Sequence, residues 1–199
     1  MDDLPTRPDE AAAVLDFWFG PESGRADAGA RKEWFVKDAA FDAAIRERFA
    51  ATIEQALRGE LDSWSGNTRS ALARILVLDQ FTRNALRDTP RAFAGDRQAL
   101  AAASSMVGAR QDEALAPFMR AFVYLPFEHA EGVAMQDEAV RLFTRLAAAA
   151  PEIGDMLAYA HKHRAVIERF GRFPHRNDIL GRQSTAEEEA FLKEPGSRF

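Results

Sequence analysis

The sequence predicts an all-α protein. Three observations carry this: a shortage of β-branched residues, apolar residues recurring at steps of three and four, and Gly or Pro at the breaks between those runs. Valine, isoleucine and threonine together number 21 of 199 residues, while alanine, leucine, arginine and glutamate are abundant. Branched side chains lose rotamer freedom in a helix and alanine does not. About eight helices with short connections are expected, stacked as antiparallel hairpins in one domain over residues 1–199.

The first helix runs from about Asp9 to Phe19 and ends at Gly20-Pro21, before a loop at 20–30. A long helix over about 32–58 follows, with Phe41, Ile45, Phe49, Ile53 and Leu57 at steps of four and Gly59 as its stop. Asn67 or Thr68 caps a helix over 68–87. "DTPRAF" breaks the chain, and helices at about 91–109 and 112–125 come next. Pro126 is expected to separate the latter from a helix over 127–149, and Pro151 opens one over 151–170. "STAEEEAFL" is a short closing helix, with Ser184–Glu187 or Thr185–Glu188 as a capping box.

Composition excludes several classes. Hydrophobic residues make up 47% and charged residues 29%, a globular balance. Without cysteine there is no disulfide, thiolate metal site or thiol nucleophile. The net charge of −5 argues against a nucleic-acid partner, which requires a basic surface. "MDDLPTRPDE" has no signal pattern, and the longest uncharged run, residues 98–109, is too short to span a bilayer. A soluble, cytoplasmic protein without membrane contact is expected.

Polar residues placed on apolar stripes are more informative. Between 71 and 87, Leu72, Ile75, Leu76 and Leu86 share a stripe with Asp79 and Arg83, while Leu78, Phe81 and Ala85 cover the opposite side. A helix apolar almost all round is central, so this aspartate and arginine are carried inward, where they can pair at i,i+4. His163 lies on the stripe of Ile153, Met156, Ala160, Ile167 and Phe170, whereas His161 points to the surface. His129 and Gln136 share a face with Val140, Phe143 and Ala147, and Glu128 and Glu131 sit in the first turn expected there. Three helices thus bring polar groups inward, which points to a polar cavity.

A basic stretch follows directly: "RFGRFPHRNDILGR", residues 169–182, holds four arginines and one histidine. Phe173 anchors this turn inward and Pro174 fixes it. "DQFTRN" (79–84) and "GRFPHRN" (171–177) both set an aromatic residue shortly before Arg-Asn, at Arg83-Asn84 and Arg176-Asn177. Asparagine tolerates the left-handed conformation that stops a helix, and arginine suits bidentate anion recognition. Phosphate-binding loops, dinucleotide fingerprints, nucleophile elbows, H-E-x-x-H and the Glu-x-x-His pairs of di-iron bundles are all missing. No cofactor and no metal site is expected.

On "VLDFWFG" (14–20), "LVLDQFTRN" (76–84), "FVYLPFEHAE" (122–131), "HKHRAVIERFGRFPHRNDILGRQST" (161–185) and "EEEAFL" (187–192), the chain resembles the bacterial family called domain of unknown function 924. The resemblance covers nearly the whole chain. It implies a tetratricopeptide-repeat-like array of helix pairs around a concave face, and it implies no activity. The chain departs from the family pattern at Ala130, where serine is expected, and at Thr82, where proline is common.

The residues support three readings. The first is a cavity that binds a small anionic ligand or an acidic peptide end. Arg83, Arg172 and Arg176 supply charge there, and Asp79, Asn84, Glu128, His129, Gln136, His163 and Asn177 orient them or touch the ligand. The second is a hydrolase or lyase with His129 or His163 as base. The third is structural, with the loop arginines consumed by Asp79, Asp96, Glu128 or Glu131 to fasten the last loop.

Overall fold

The computed structural model describes residues 8–20 and 30–198 of the chain, so the loop expected at 20–30 lies almost wholly outside the described residues. Helix α1 (Pro8–Phe19) buries Val14, Leu15 and Trp18. The helix expected from about residue 32 starts later, as α2 (Ala39–Leu57). Lys32–Trp34 form a separate 3₁₀ turn, and the Asp38 carboxylate accepts the N–H groups of Ala40 and Phe41 at 2.8 and 3.0 Å. That cap satisfies donors which have no partner inside the helix, and so fixes the boundary.

Asn67 caps α3 (Thr68–Leu76) through the N–H groups of Arg69 and Ser70. The helix expected over 68–87 is continuous but not uniform. α3 passes through a π turn at Val77–Phe81 into the short α4 (Thr82–Ala85), with the Thr82 N–H reaching the Val77 carbonyl. α5 (Asp96–Gly108) starts after Gly95, because Pro90–Phe93 form their own 3₁₀ turn. Gly95 is pressed against the π turn: a Cβ placed there would lie 2.1 Å from the Leu78 carbonyl oxygen.

Pro126 does not separate two helices. It lies inside α6 (Pro117–Glu128), which Pro117 opens at a position where no N–H partner is needed. One lost hydrogen bond at Pro126 is offset by burial of Phe122, Tyr124 and Phe127 around it. The break falls instead at residues 129–132, before α7 (Val133–Ala149). His129 and Gln136 therefore sit on different elements, and the shared helical face expected for them does not exist. α8 (Gly154–Phe170) follows, and α9 (Ala186–Phe191) closes the chain with the Thr185–Glu188 capping box. With α3, the π turn and α4 taken as one rod, the described residues hold eight α-helices.

The four-residue links at 129–132 and 150–153 force α6 and α7, and α7 and α8, into antiparallel packing. Aromatic side chains dominate the main core: Trp18 meets Phe81 and Phe122 at ring separations of 5.7 and 5.5 Å, and Tyr124 meets Phe143 edge-on at 5.6 Å. A smaller cluster of Val166, Ile167 and Phe173, joined by Phe170 and Phe191, lies under the 171–185 loop. Phe173 is fully buried, as the sequence leads one to expect of an anchor. No helix of the described residues is long and apolar enough to cross a membrane.

Candidate functional site

A cavity of about 400 Å³ opens where α4, the Pro90–Phe93 turn, the end of α6, α8 and the 174–179 segment converge. Arg83, Asn84, His129, His163 and Arg176 line it, together with Gln80, Phe93 and His175. The π turn helps build this wall. One extra residue in the turn changes where the following side chains project, and such bulges recur at functional sites. Gln80 and Asp79 are consecutive, yet both are buried and joined by a 2.6 Å bond from the Gln80 amide to Asp79 Oδ2.

Asp79 is the hub. Its Oδ1 meets His129 Nδ1 at 2.8 Å and Arg83 Nη1 at 3.0 Å, so the i,i+4 pair expected from the sequence is formed. Burial by itself would raise its pKa. The Arg83 charge and the His129 bond outweigh that and hold the carboxyl ionised, well below the usual carboxylate range. An ionised carboxylate only accepts, so His129 Nδ1 carries the hydrogen and Nε2 keeps its lone pair. Burial, aided by Arg83 and Arg176, keeps the His129 ring neutral against the pull of Asp79.

Arg83 continues the chain of charge. Its Nη1 lies 2.9 Å from Asp96 Oδ1, and its Nη2 donates to Asp96 Oδ2 at 3.0 Å. The same Asp96 oxygen is the partner of Arg176 Nη1, at a longer 3.4 Å. The Arg176 guanidinium sits between the rings of Phe93 and Phe173, 4.9 and 4.5 Å from their centroids. Arg176 is only 6% exposed, and its Nε has no hydrogen-bond partner. Burial first, then the like charge of Arg83, bring its pKa down to about 10.

Glu128 lies behind this front. Its Oε1 is 3.0 Å from His163 Nδ1, which also bonds the Tyr159 carbonyl at 3.0 Å, while its buried Oε2 has no partner. Burial and the charge of Asp79 push Glu128 up to about 8. Burial likewise depresses His163 to about 3 and His175 to about 4.

Gln136, Arg172 and Asn177 lie elsewhere. The Gln136 amide donates to the carbonyls of Glu128 and Ala130 at 2.7 and 2.8 Å, tying together the break between α6 and α7. Arg172 grips Glu188 of α9 through two bonds, at 2.6 and 2.7 Å. Asn177 is fully buried, bonding Ser184 and Glu188 and accepting from Arg182. Arg182 in turn holds Glu131, which also accepts the Phe173 N–H. Asn84 has two roles: it lines the cavity and donates to the buried Asp42, which Arg87 also clamps at 2.8 and 3.0 Å.

Phe93, Gln80, His175 and Asp42 join the site without a motif of their own in the sequence. His175 sits beside Arg176 within the basic stretch, so proximity could have flagged it. Phe93 and Asp42 give no local signal, since their roles arise from partners dozens of residues away. No group of three or more His, Cys, Asp or Glu side chains among the described residues is arranged to hold a metal ion.

Fold and site together define an all-helical protein with arginines and histidines lining a polar cavity. Residues 14–196 match the bacterial proteins of unknown function called DUF924, and the chain belongs to that family. It is similar to the solved structure of a protein of unknown function from Agrobacterium tumefaciens, at 40% identity and a TM-score of 0.81. The similarity covers 93% of this chain and 97% of the other. No curated protein matches the chain.

Proposed function

We propose that the cavity binds a small organic anion, with Arg176 as its principal charge partner. The observation that carries this is the under-used guanidinium of Arg176. A buried arginine ordinarily has its donors satisfied and its charge closely paired. Of the four arginines between 169 and 182, Arg169, Arg172 and Arg182 each have a close carboxylate partner, at 2.9, 2.6 and 2.6 Å. Arg176 alone of these makes do with 3.4 Å, on a carboxylate already engaged by Arg83. The volume falls in the range of small-ligand sites. In this reading the stacked hairpins act as a tetratricopeptide-like scaffold that presents the cavity, and Arg172, Gln136 and Asn177 support its walls.

Thermal shift and calorimetry with a panel of carboxylates and phosphates test the proposal. A ligand at a hundred times its Kd adds about 2.7 kcal/mol of stability. Arg176→Ala should abolish that gain, while Arg141→Ala, in an exposed pair with Glu138, should keep it. A panel that shifts neither protein would rule the proposal out.

The Asp79–His129 bond favours a second reading, in which bound substrate meets a base. A carboxylate that fixes the Nδ1–H tautomer leaves Nε2 as the proton acceptor, the arrangement that hydrolases and lyases use. Turnover of a bound anion, lost in Asp79→Asn with binding retained, would establish it.

A further inference from the structure

We infer that the ligand is a hydroxycarboxylate, an acid with a hydroxyl on the carbon next to its carboxylate. The inference rests on the anion-binding reading above and adds what the neighbouring groups demand. His129 lines the same cavity as Arg176 and has committed Nδ1–H to Asp79. What it offers the cavity is therefore the acceptor Nε2. A plain carboxylate brings acceptors only, and its oxygens would oppose that lone pair. A ligand that satisfies both walls needs an anionic group for Arg176 and a donor for His129.

The two groups belong to one network. Arg83 and His129 meet on the one oxygen Asp79 Oδ1, and Arg83 and Arg176 meet on Asp96. Cation and acceptor thus face the same cavity of about 400 Å³, which suits a short ligand with its hydroxyl near its carboxylate rather than at the end of a long chain. Charge draws an anion without choosing its kind, because Arg83, Arg87, Arg198 and Lys37 line the cavity beside Arg176. The donor that His129 requires is what selects a hydroxylated acid. Phe93 and Ile179 give the rest of the ligand an apolar wall.

Calorimetry with matched pairs tests the inference at pH 7.5: lactate against propionate, and glycolate against acetate. The hydroxylated member should bind about 10-fold tighter, the worth of one hydrogen bond to the His129 ring. His129→Asn keeps a donor for Asp79 in the place of Nδ1 and deletes Nε2. In that variant the preference should collapse while propionate binding stays. Equal binding of lactate and propionate by the unaltered protein would overturn the inference and leave the anion site standing. N-acetylalanine binding tighter than lactate would assign the site to a peptide terminus and overturn it too. Absence of binding by every acid and phosphate would overturn both readings. The comparison in the unaltered protein decides even if the variant fails to fold.

Discussion

Arg176 reaches Asp96 at 3.4 Å, on a carboxylate that Arg83 already holds at 2.9 and 3.0 Å. The two arginines are therefore unequal in what they contribute to folding. Removing Arg83 leaves the buried Asp79 and the half-buried Asp96 without their main cation, which costs about 3–5 kcal/mol. Arg176→Met removes a desolvated, loosely paired charge and leaves an apolar side chain between Phe93 and Phe173. It should be neutral or stabilising in the ligand-free protein while abolishing the anion response. Urea unfolding of both variants at neutral pH measures the contrast. A loss in Arg176→Met as large as that in Arg83→Ala would show that the pair is structural.

Gly95 packs its backbone on the π turn, where a Cβ would lie 2.1 Å from the Leu78 carbonyl oxygen and 2.9 Å from its carbon. Backbone cannot move aside as a flexible side chain can. Gly95→Ala should cost about 3 kcal/mol, at the upper end of overpacking penalties. It should also shift Asp96, the next residue, away from Arg83. Gly108, the last residue of the helix that Gly95 precedes, has open space around its would-be Cβ. Gly108→Ala should be neutral or up to about 1 kcal/mol stabilising by helix propensity. Equal effects from the two substitutions would refute the close-approach argument.

Helix α9 is six residues long and is held by the Arg172–Glu188 clamp, the Thr185 capping box and the tilted ring contact of Phe191 with Phe170. So short a helix has little stability of its own. Arg172→Ala should free it: amide exchange across 186–192 should accelerate, with exchange in α3 and α6 unchanged. Unaltered protection in α9 would mean that the apolar contact suffices. The Glu188 carboxyl is held low, at about 2, chiefly by Arg172, so the clamp should persist through mildly acidic conditions.

Legibility in the sequence follows the range of the forces involved. Helix existence and the caps at Asn67 and Thr185 were readable because periodicity and capping act over a few residues. The inward Asp79–Arg83 pair was readable for the same reason, since both lie on one helix. Pro126 misled, because the preference against proline inside a helix yields to tertiary burial. The π turn and Gly95 were invisible: each is settled by how α3 and α5 press together. Arg172 and Arg176 looked alike in the basic stretch. Only the position of Glu188 on α9, against that of Asp96 on α5, separates a satisfied arginine from an under-used one.

Stability should fall between about pH 7.2 and 8, and Glu128 should be the cause. Burial and the Asp79 charge lift Glu128 from 4.5 to about 8 in the folded protein. Between those values the folded chain keeps a proton that the unfolded chain has lost. Its contribution is therefore complete below about 4.5 and disappears as pH rises through about 8. His163 and His175 act in the opposite sense. They are held neutral down to about 3 and about 4, against 6.5 for the free side chain. Their contribution is complete above 6.5 and is lost as pH falls below it. At 6.5 the histidine and Glu128 slopes largely cancel; from about 7.2 upward the histidines contribute little and the Glu128 slope is exposed. Glu128→Gln holds the neutral form permanently, so it should flatten this limb and be more stable than the unaltered protein at pH 8 by on the order of 4 kcal/mol. Denaturation midpoints at pH 6.5, 7.2 and 8.0 measure it, and parallel curves for the two proteins would place the titrating group elsewhere.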